Sequence, residues 1–280
     1  MKKFIDILIK LGSVDRRYIF VLVGLSVLIP LIWPINIPIR ATQQSQNVFN
    51  AIEGLAPNSK VLVSFEYGPS TKPEIHPMSL ALLRQLFENG LKVYATALWP
   101  DGLFMSADAF GTMESEYDLE YGVDYVNLGF RPGNEAVVKG IAADIPTLYT
   151  TDTRGIQITA IPMMKGIHDV KDFDFVFSLS AGYPGTKEWV QYACDPHNVP
   201  MSTGCTSIQV TEVIPYVEHG QVKGILAGMP GAAEYEKLVN HPGLATGMMA
   251  AQSFAHLVIV AFIIFGNITY FVQRKRDQKK

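Results

Sequence analysis

Residues 60–98 read KVLVSFEYGPSTKPEIHPMSLALLRQLFENGLKVYATAL. Val61-Leu62-Val63-Ser64-Phe65 is a short, mostly apolar run, the pattern of a buried strand. A polar stretch follows, and then Ser79 to Glu88, where Leu80, Leu83 and Phe87 recur at helical spacing. Asn89-Gly90 stops that helix, and Leu91 to Leu98 is a second strand. Strand, helix and strand in close succession point to parallel pairing, because parallel neighbours need a crossover connection.

The alternation continues along the chain. Pro100-Asp101-Gly102 reads as a turn, 103–118 as a helix and Asp124 to Leu128 as a strand. Glu135 to Ala143 is helical. Ile156 to Ile161 is either a strand or the buried edge of a loop. Phe173 to Leu179 is a strand and Lys187 to Ala193 a helix. Glu212 to Leu226, broken at His219-Gly220, reads as a hairpin, and Ala232 to Val239 as a last helix. The predicted fold is an α/β layered domain over 60–245, with a largely parallel, Rossmann-like or flavodoxin-like sheet flanked by two transmembrane helices.

Those flanking segments stand out by charge. Tyr18 to Ile39 is 22 residues without a charge, and Gly247 to Tyr270 is 24 residues with no acid, Lys or Arg. As helices they would span about 33 and 36 Å, against a hydrocarbon core of about 30 Å. Residues 1–17 and 272–280 hold ten Lys/Arg against three acids, and the rest of the chain holds thirteen against twenty-three. Basic tails around an acidic middle predict a cell-membrane protein with both termini cytoplasmic and residues 40–245 outside. A cleaved signal peptide is the rival for the first segment, but no small-x-small site follows closely. Between the segments there is no N-x-S/T sequon, which favours a prokaryotic membrane.

The tails and connectors have their own readings. Phe4, Ile5, Leu8 and Ile9, among lysines, suit an amphipathic helix lying on the inner membrane surface within 1–17. Residues 40–59 are polar, then weakly amphipathic around Val48, Ile52 and Leu55, as expected of a stalk leading into a short helix. The second apolar segment, 247–271, is followed by a basic tail over 272–280. Gly247, Ala251 and Ala255 recur every four residues, a spacing that lets helices approach closely, and Gln252 and His256 share their broad side. This face is expected to pack on the first segment at Gly24 and Ser26, or on another subunit.

Ligands of open α/β sheets bind beyond the carboxyl ends of the strands. The loop after the first strand carries Glu66, Gly68, Ser70, Thr71, Glu74 and His76; Asp101 follows the second, Arg131 and Asn134 the third, and Ser180 and Thr186 the fourth. These are the candidate ligand-binding residues, with Arg131 and helix N-termini facing a small anion. The alternative is that Gly and Pro there merely turn strands into helices. Ser180, His76 and Glu66 are weak catalytic candidates. Ser178 to Gly182 approximates a nucleophile elbow, with Asp195 and His219 in hydrolase order, although Pro184-Gly185 interrupts the helix the elbow requires.

Cys194 and Cys205, eleven positions apart, are a candidate disulfide if they lie outside the cytoplasm; free buried thiols, or Cys205 as a nucleophile, are the other readings. The histidines are scattered, so no metal site is expected, and with no phosphate loop or dinucleotide fingerprint no cofactor either. An acidic middle argues against nucleic acid. The expected partners are the lipid bilayer and other copies of the chain or other membrane proteins. The leading functional expectation is a binding or assembly component of a membrane complex. A membrane-tethered hydrolase or transferase is second, and a receptor-like sensor third.

Overall fold

Among the described residues, six short runs form strands: β1 (Lys60–Glu66), β2 (Lys92–Ala97), β3 (Tyr125–Phe130), β4 (Phe175–Ser180), β5 (Met201–Cys205) and β6 (Ile225–Ala227). A computed structural model of the chain describes residues 15–33, 35 and 38–278. All six strands pair in parallel in the order β3-β2-β1-β4-β5-β6. Val61 lies opposite both Val93 and Phe175, and Ser64 opposite Ser178, which in turn faces Thr203.

The helices are α1 (Arg16–Ile32), α2 (Gln43–Glu53), α3 (Lys72–Glu88), α4 (Pro100–Glu116), α5 (Glu135–Ala143), α6 (Ile145–Leu148), α7 (Thr186–Trp189), α8 (Val210–Glu218), α9 (Gly228–Leu238) and α10 (Leu244–Asp277). Residues 39–246 form one compact unit, and the terminal segments belong to another.

Burial on both faces explains why most of the strands read as largely apolar runs rather than alternating. Leu62 belongs to a core cluster with Tyr94, Val126, Val137 of α5, Val176 and Trp189 of α7. Side chains alternate along a strand, so Ser64 and Glu66 point to that same face. Phe65 points to the other, where its ring lies 6.2 Å from that of Phe110 on α4. Gly102 is fixed by a close approach: a Cβ there would overlap the Phe65 carbonyl oxygen.

Several elements differ from the sequence expectations. The polar loop after β1 is shorter, because α3 begins at Lys72 with Pro73 in its first turn and Pro77 inside it. Pro100-Asp101-Gly102 is the first turn of α4, for which a leading proline is preorganised. The expected hairpin over 212–226 is α8 followed by β6, which pairs in parallel with β5. His219-Gly220 closes the helix, with Gly220 at φ +76°, instead of turning a hairpin.

Ile158–Ala160 is a 3₁₀ turn with Ile158 and Ile161 buried, so this stretch is a buried loop edge. The helix expected over 187–193 is α7, running on through a π-turn at Val190–Cys194 and a last turn at Asp195–His197. The segment expected to be a stalk is α2, and Val48 and Ile52 are fully buried on the domain. Thr42 caps it, and Glu234 of α9 accepts from the Thr42 N–H at 2.9 Å and from the Ser45 hydroxyl at 2.7 Å.

Among the described residues, two flanking transmembrane helices are not found. The helix in the first apolar segment, α1, stops at Ile32, and its apolar part from Tyr18 covers about 22 Å. Among the described residues one helix, Leu244–Arg276, is long and apolar enough to cross a membrane. The segment around Phe4, Ile5, Leu8 and Ile9 lies outside the described residues.

Candidate functional site

In this strand order the chain reverses direction between β1 and β4, and the crevice beyond their carboxyl ends is the default ligand site of such sheets. Glu66, Gly68, Ser180 and Gly182 lie there. The crevice is closed by the protein itself. The Ala181 N–H donates to the Glu66 carbonyl at 2.8 Å, and the Trp99 indole donates to the Pro184 carbonyl at 2.9 Å. Gly185 packs so closely on Ser180 that a Cβ would overlap its hydroxyl.

Beneath this closure lies a buried polar network. The Glu66 carboxyl is fully buried and accepts from the Ser64 hydroxyl, from Trp189 Nε1 at 2.9 Å and from the Ser178 hydroxyl at 3.0 Å. Thr186 bonds Thr203 at 2.6 Å, and Thr203 donates to the Ser178 carbonyl at 2.9 Å. Burial pushes the Glu66 carboxyl up to about 7, against the lowering effect of its three donors, with the nearby Glu188 charge adding to the rise. Glu66 therefore holds a proton near neutrality, and its side chain is out of contact with solvent.

A second array sits on the opposite face. Tyr67 OH lies 2.8 Å from His76 Nδ1 and 3.1 Å from the Ser79 hydroxyl, while His76 Nε2 lies 3.3 Å from Asp108 Oδ2. Lys72 Nζ reaches the same carboxylate oxygen at 2.6 Å. Desolvation lowers the His76 pKa to about 4; Asp108 opposes the shift and Lys72 adds to it. With the ring neutral, Nδ1 bonds the Tyr67 hydroxyl, and Nε2 faces the Asp108 carboxylate at 3.3 Å without a hydrogen bond to it. This orients a histidine as catalytic sites do, yet its inner partner, Tyr67, is fully buried.

The remaining candidates divide. Glu74 accepts from the Ser207 N–H at 2.7 Å and hydroxyl at 2.5 Å, tying α3 to the loop after β5. Thr71 closes a turn on the Gly68 carbonyl, Ser70 is exposed, and Asp101 is exposed on the first turn of α4. Arg131 does not face an open anion site: its guanidinium donates to the carbonyls of Leu148 and Thr151 and lies over the Tyr149 ring. Asn134 is exposed ahead of α5.

No hydrolase triad forms. The Ser180 hydroxyl donates to the Gly182 carbonyl at 3.2 Å, while His219 bonds Pro215 and Asp195 accepts from Gln221. The cysteines are not bridged. Cys194 is buried in the larger core cluster, and Cys205 ends β5 beside Val213 and Ile225. Burial pushes the Cys205 thiol up to about 12, which removes the thiolate a nucleophile needs.

On α10, Ala251 is buried, Ala255 half-buried, and Gln252 and His256 exposed. A Cβ at Gly247 or at Gly24 would meet nothing within 4 Å, and the Ser26 hydroxyl turns back to the Val23 carbonyl. Within the chain, neither glycine is a point of close helix approach. Among the described residues no three His, Cys, Asp or Glu side chains gather as metal ligands.

Sequence reasoning missed Ser64, Ser178, Thr203, Trp189, Tyr67, Ser79 and Asp108. Ser64 and Ser178 carried a signal, a hydroxyl residue inside each of two apolar strands, and the pairing aligns them in one row with Thr203.

Fold and site together define a Rossmann-like α/β domain with a filled switch-point crevice, followed in the chain by one helix of membrane-spanning length. Comparison of the chain with known protein families, curated proteins and solved structures found no match.

Proposed function

We propose that this chain is a membrane-anchored binding or assembly component of a membrane protein complex, probed first as an oligomer of itself. The observation that carries this proposal is the closure of the switch-point crevice by Trp99, Ser180 and Gly185, where an enzyme of this fold would admit its substrate. The same end of the sheet carries large apolar side chains in water, with Phe104 67%, Tyr183 61% and Ile208 88% exposed. Such residues, exposed where the chain passes from strand to helix, suit contact with protein.

In this proposal Leu244–Arg276 crosses the membrane, with Arg274, Lys275 and Arg276 on the cytoplasmic side and the α/β domain outside. Purification from native membrane in mild detergent, followed by mass determination, tests the assembly role. The expected result is a particle heavier than one chain, and a clean monomer without partners overturns it.

A tethered hydrolase or transferase is the second reading, favoured by the oriented Asp108–His76 pair. If it holds, His76→Ala abolishes the phenotype of the gene while the chain still assembles. An assembly role predicts that His76→Ala and Ser180→Ala keep the phenotype as long as the protein folds.

A further inference from the structure

The outward face of α4 is built unlike a solvated helix face. Phe104, Ala107, Gly111 and Ser115 recur on it at helical spacing, and all four are exposed, Phe104 to 67%. Gly111 sits in the middle of this 17-residue helix, where glycine costs about 0.5–1 kcal/mol relative to alanine. Nothing within the chain accounts for it, since a Cβ there would meet no atom within 4 Å. Small residues at every fourth position form a low ridge on which a second helix can pack closely.

Two ion pairs flank this ridge, three residues to either side of Gly111. Asp108 pairs with Lys72 at 2.6 Å and Glu114 with Arg154 at 2.9 Å, and all four side chains are 41–48% exposed. At 100° per residue the two carboxylates lie on opposite sides of the ridge. The flanks therefore carry two cations and two anions and sum to zero. A two-fold axis at Gly111 sets these ions against the same ions of a second copy, so that each cation faces a partner carboxylate whichever way the helices cross. A lipid headgroup or another polyanion would find no net charge to attract it. Exposed pairs of this kind fix register more than affinity, and Phe104 supplies the apolar area.

From this combination we propose that α4 is a contact between two copies of this chain, each α4 packing on the other across a two-fold axis at Gly111. A contact of that symmetry requires a self-complementary surface, which the small-residue ridge and its balanced flanks provide. The inference rests on the assembly role above and names the face that carries it.

Cross-linking of the full-length protein in native membranes tests it. Gly111→Cys places a thiol at the axis, where the two copies come within disulfide reach, while Cys194 and Cys205 are buried and give no background. Oxidation is expected to yield at least tenfold more covalent dimer than Thr147→Cys, an exposed position on α6. Gly111→Trp blocks the close approach from a position open in the single chain, and is expected to lower the particle mass in mild detergent with an unchanged thermal melt. Equal cross-linking at the two positions, or an undiminished particle with Gly111→Trp, overturns the α4 contact and leaves assembly through another face. A wild-type chain that is monomeric in detergent overturns both.

Discussion

At the scale of single residues, Glu66 and His76 give opposite pH dependences. The folded pKa of Glu66 lies near 7, above its unfolded value of about 4.5, so the folded state holds the proton more tightly. Its contribution is fully present below the unfolded value and is lost as pH rises through 7. Glu66→Gln keeps a neutral acceptor for Ser64 and Trp189 and places a donor toward Ser178. Urea denaturation is expected to show this variant more stable than the wild type at pH 8, by on the order of 3 kcal/mol, with the gain vanishing near pH 4.5.

For His76 the sign reverses. The folded pKa falls to about 4 from 6.5, so the unfolded chain binds the proton first as the solution is acidified. Stability from the neutral ring is present above pH 6.5 and lost as pH falls toward 4. His76→Gln is expected to be less stable than the wild type at pH 7, and the gap should narrow by pH 4.5. A constant gap would show that His76 has the same pKa in the folded and unfolded states.

At the scale of elements, α9 joins the pieces that flank the sheet. Its Glu234 receives the start of α2, and its Glu236 accepts the backbone N–H groups of Gly243, Ala245 and Thr246 at 2.8–3.0 Å, where α10 begins. A carboxylate at a helix start satisfies donors that have no partner within the helix. Glu236→Ala is therefore expected to cost about 1–3 kcal/mol, and amide exchange at 243–246 should report the loss first. The α2 helix makes an equally direct claim. Ile52 is fully buried, so Ile52→Ala should cost about 2–5 kcal/mol. A stalk residue would cost almost nothing, and thermal denaturation distinguishes the two.

At the scale of the whole molecule, residues 39–246 form a unit with its own sheet and core. Expressed without the terminal apolar segments, they are expected to unfold in one cooperative transition; a transition absent from this fragment but present in the full chain would refute that independence. Association belongs to this scale as well. Ile208→Asp leaves an 88% exposed position polar, and is expected to reduce particle mass in detergent without lowering the melting temperature. If Ala251→Leu with Ala255→Leu leaves association intact, α10 serves only as an anchor.

By itself the sequence determined the α/β class, the four strands with apolar cores, the principal crossover helices and the membrane-length apolar run at the carboxyl end. Each of these depends on a local property, namely hydrophobic periodicity or an uncharged length, that neighbouring residues carry on their own. Only the tertiary structure decided the rest. Met201–Cys205 lacks an apolar run and becomes a strand because β4 and β6 bury it from both sides. His219-Gly220 signals a turn whether a helix or a strand precedes it. The site depended most on folding: Glu66, Ser178 and Trp189 are separated by up to 123 positions, and only parallel pairing brings them to one carboxyl. Spacing along the chain carries no trace of that contact, because strand order and closure of the crevice are set by the packing of the whole sheet.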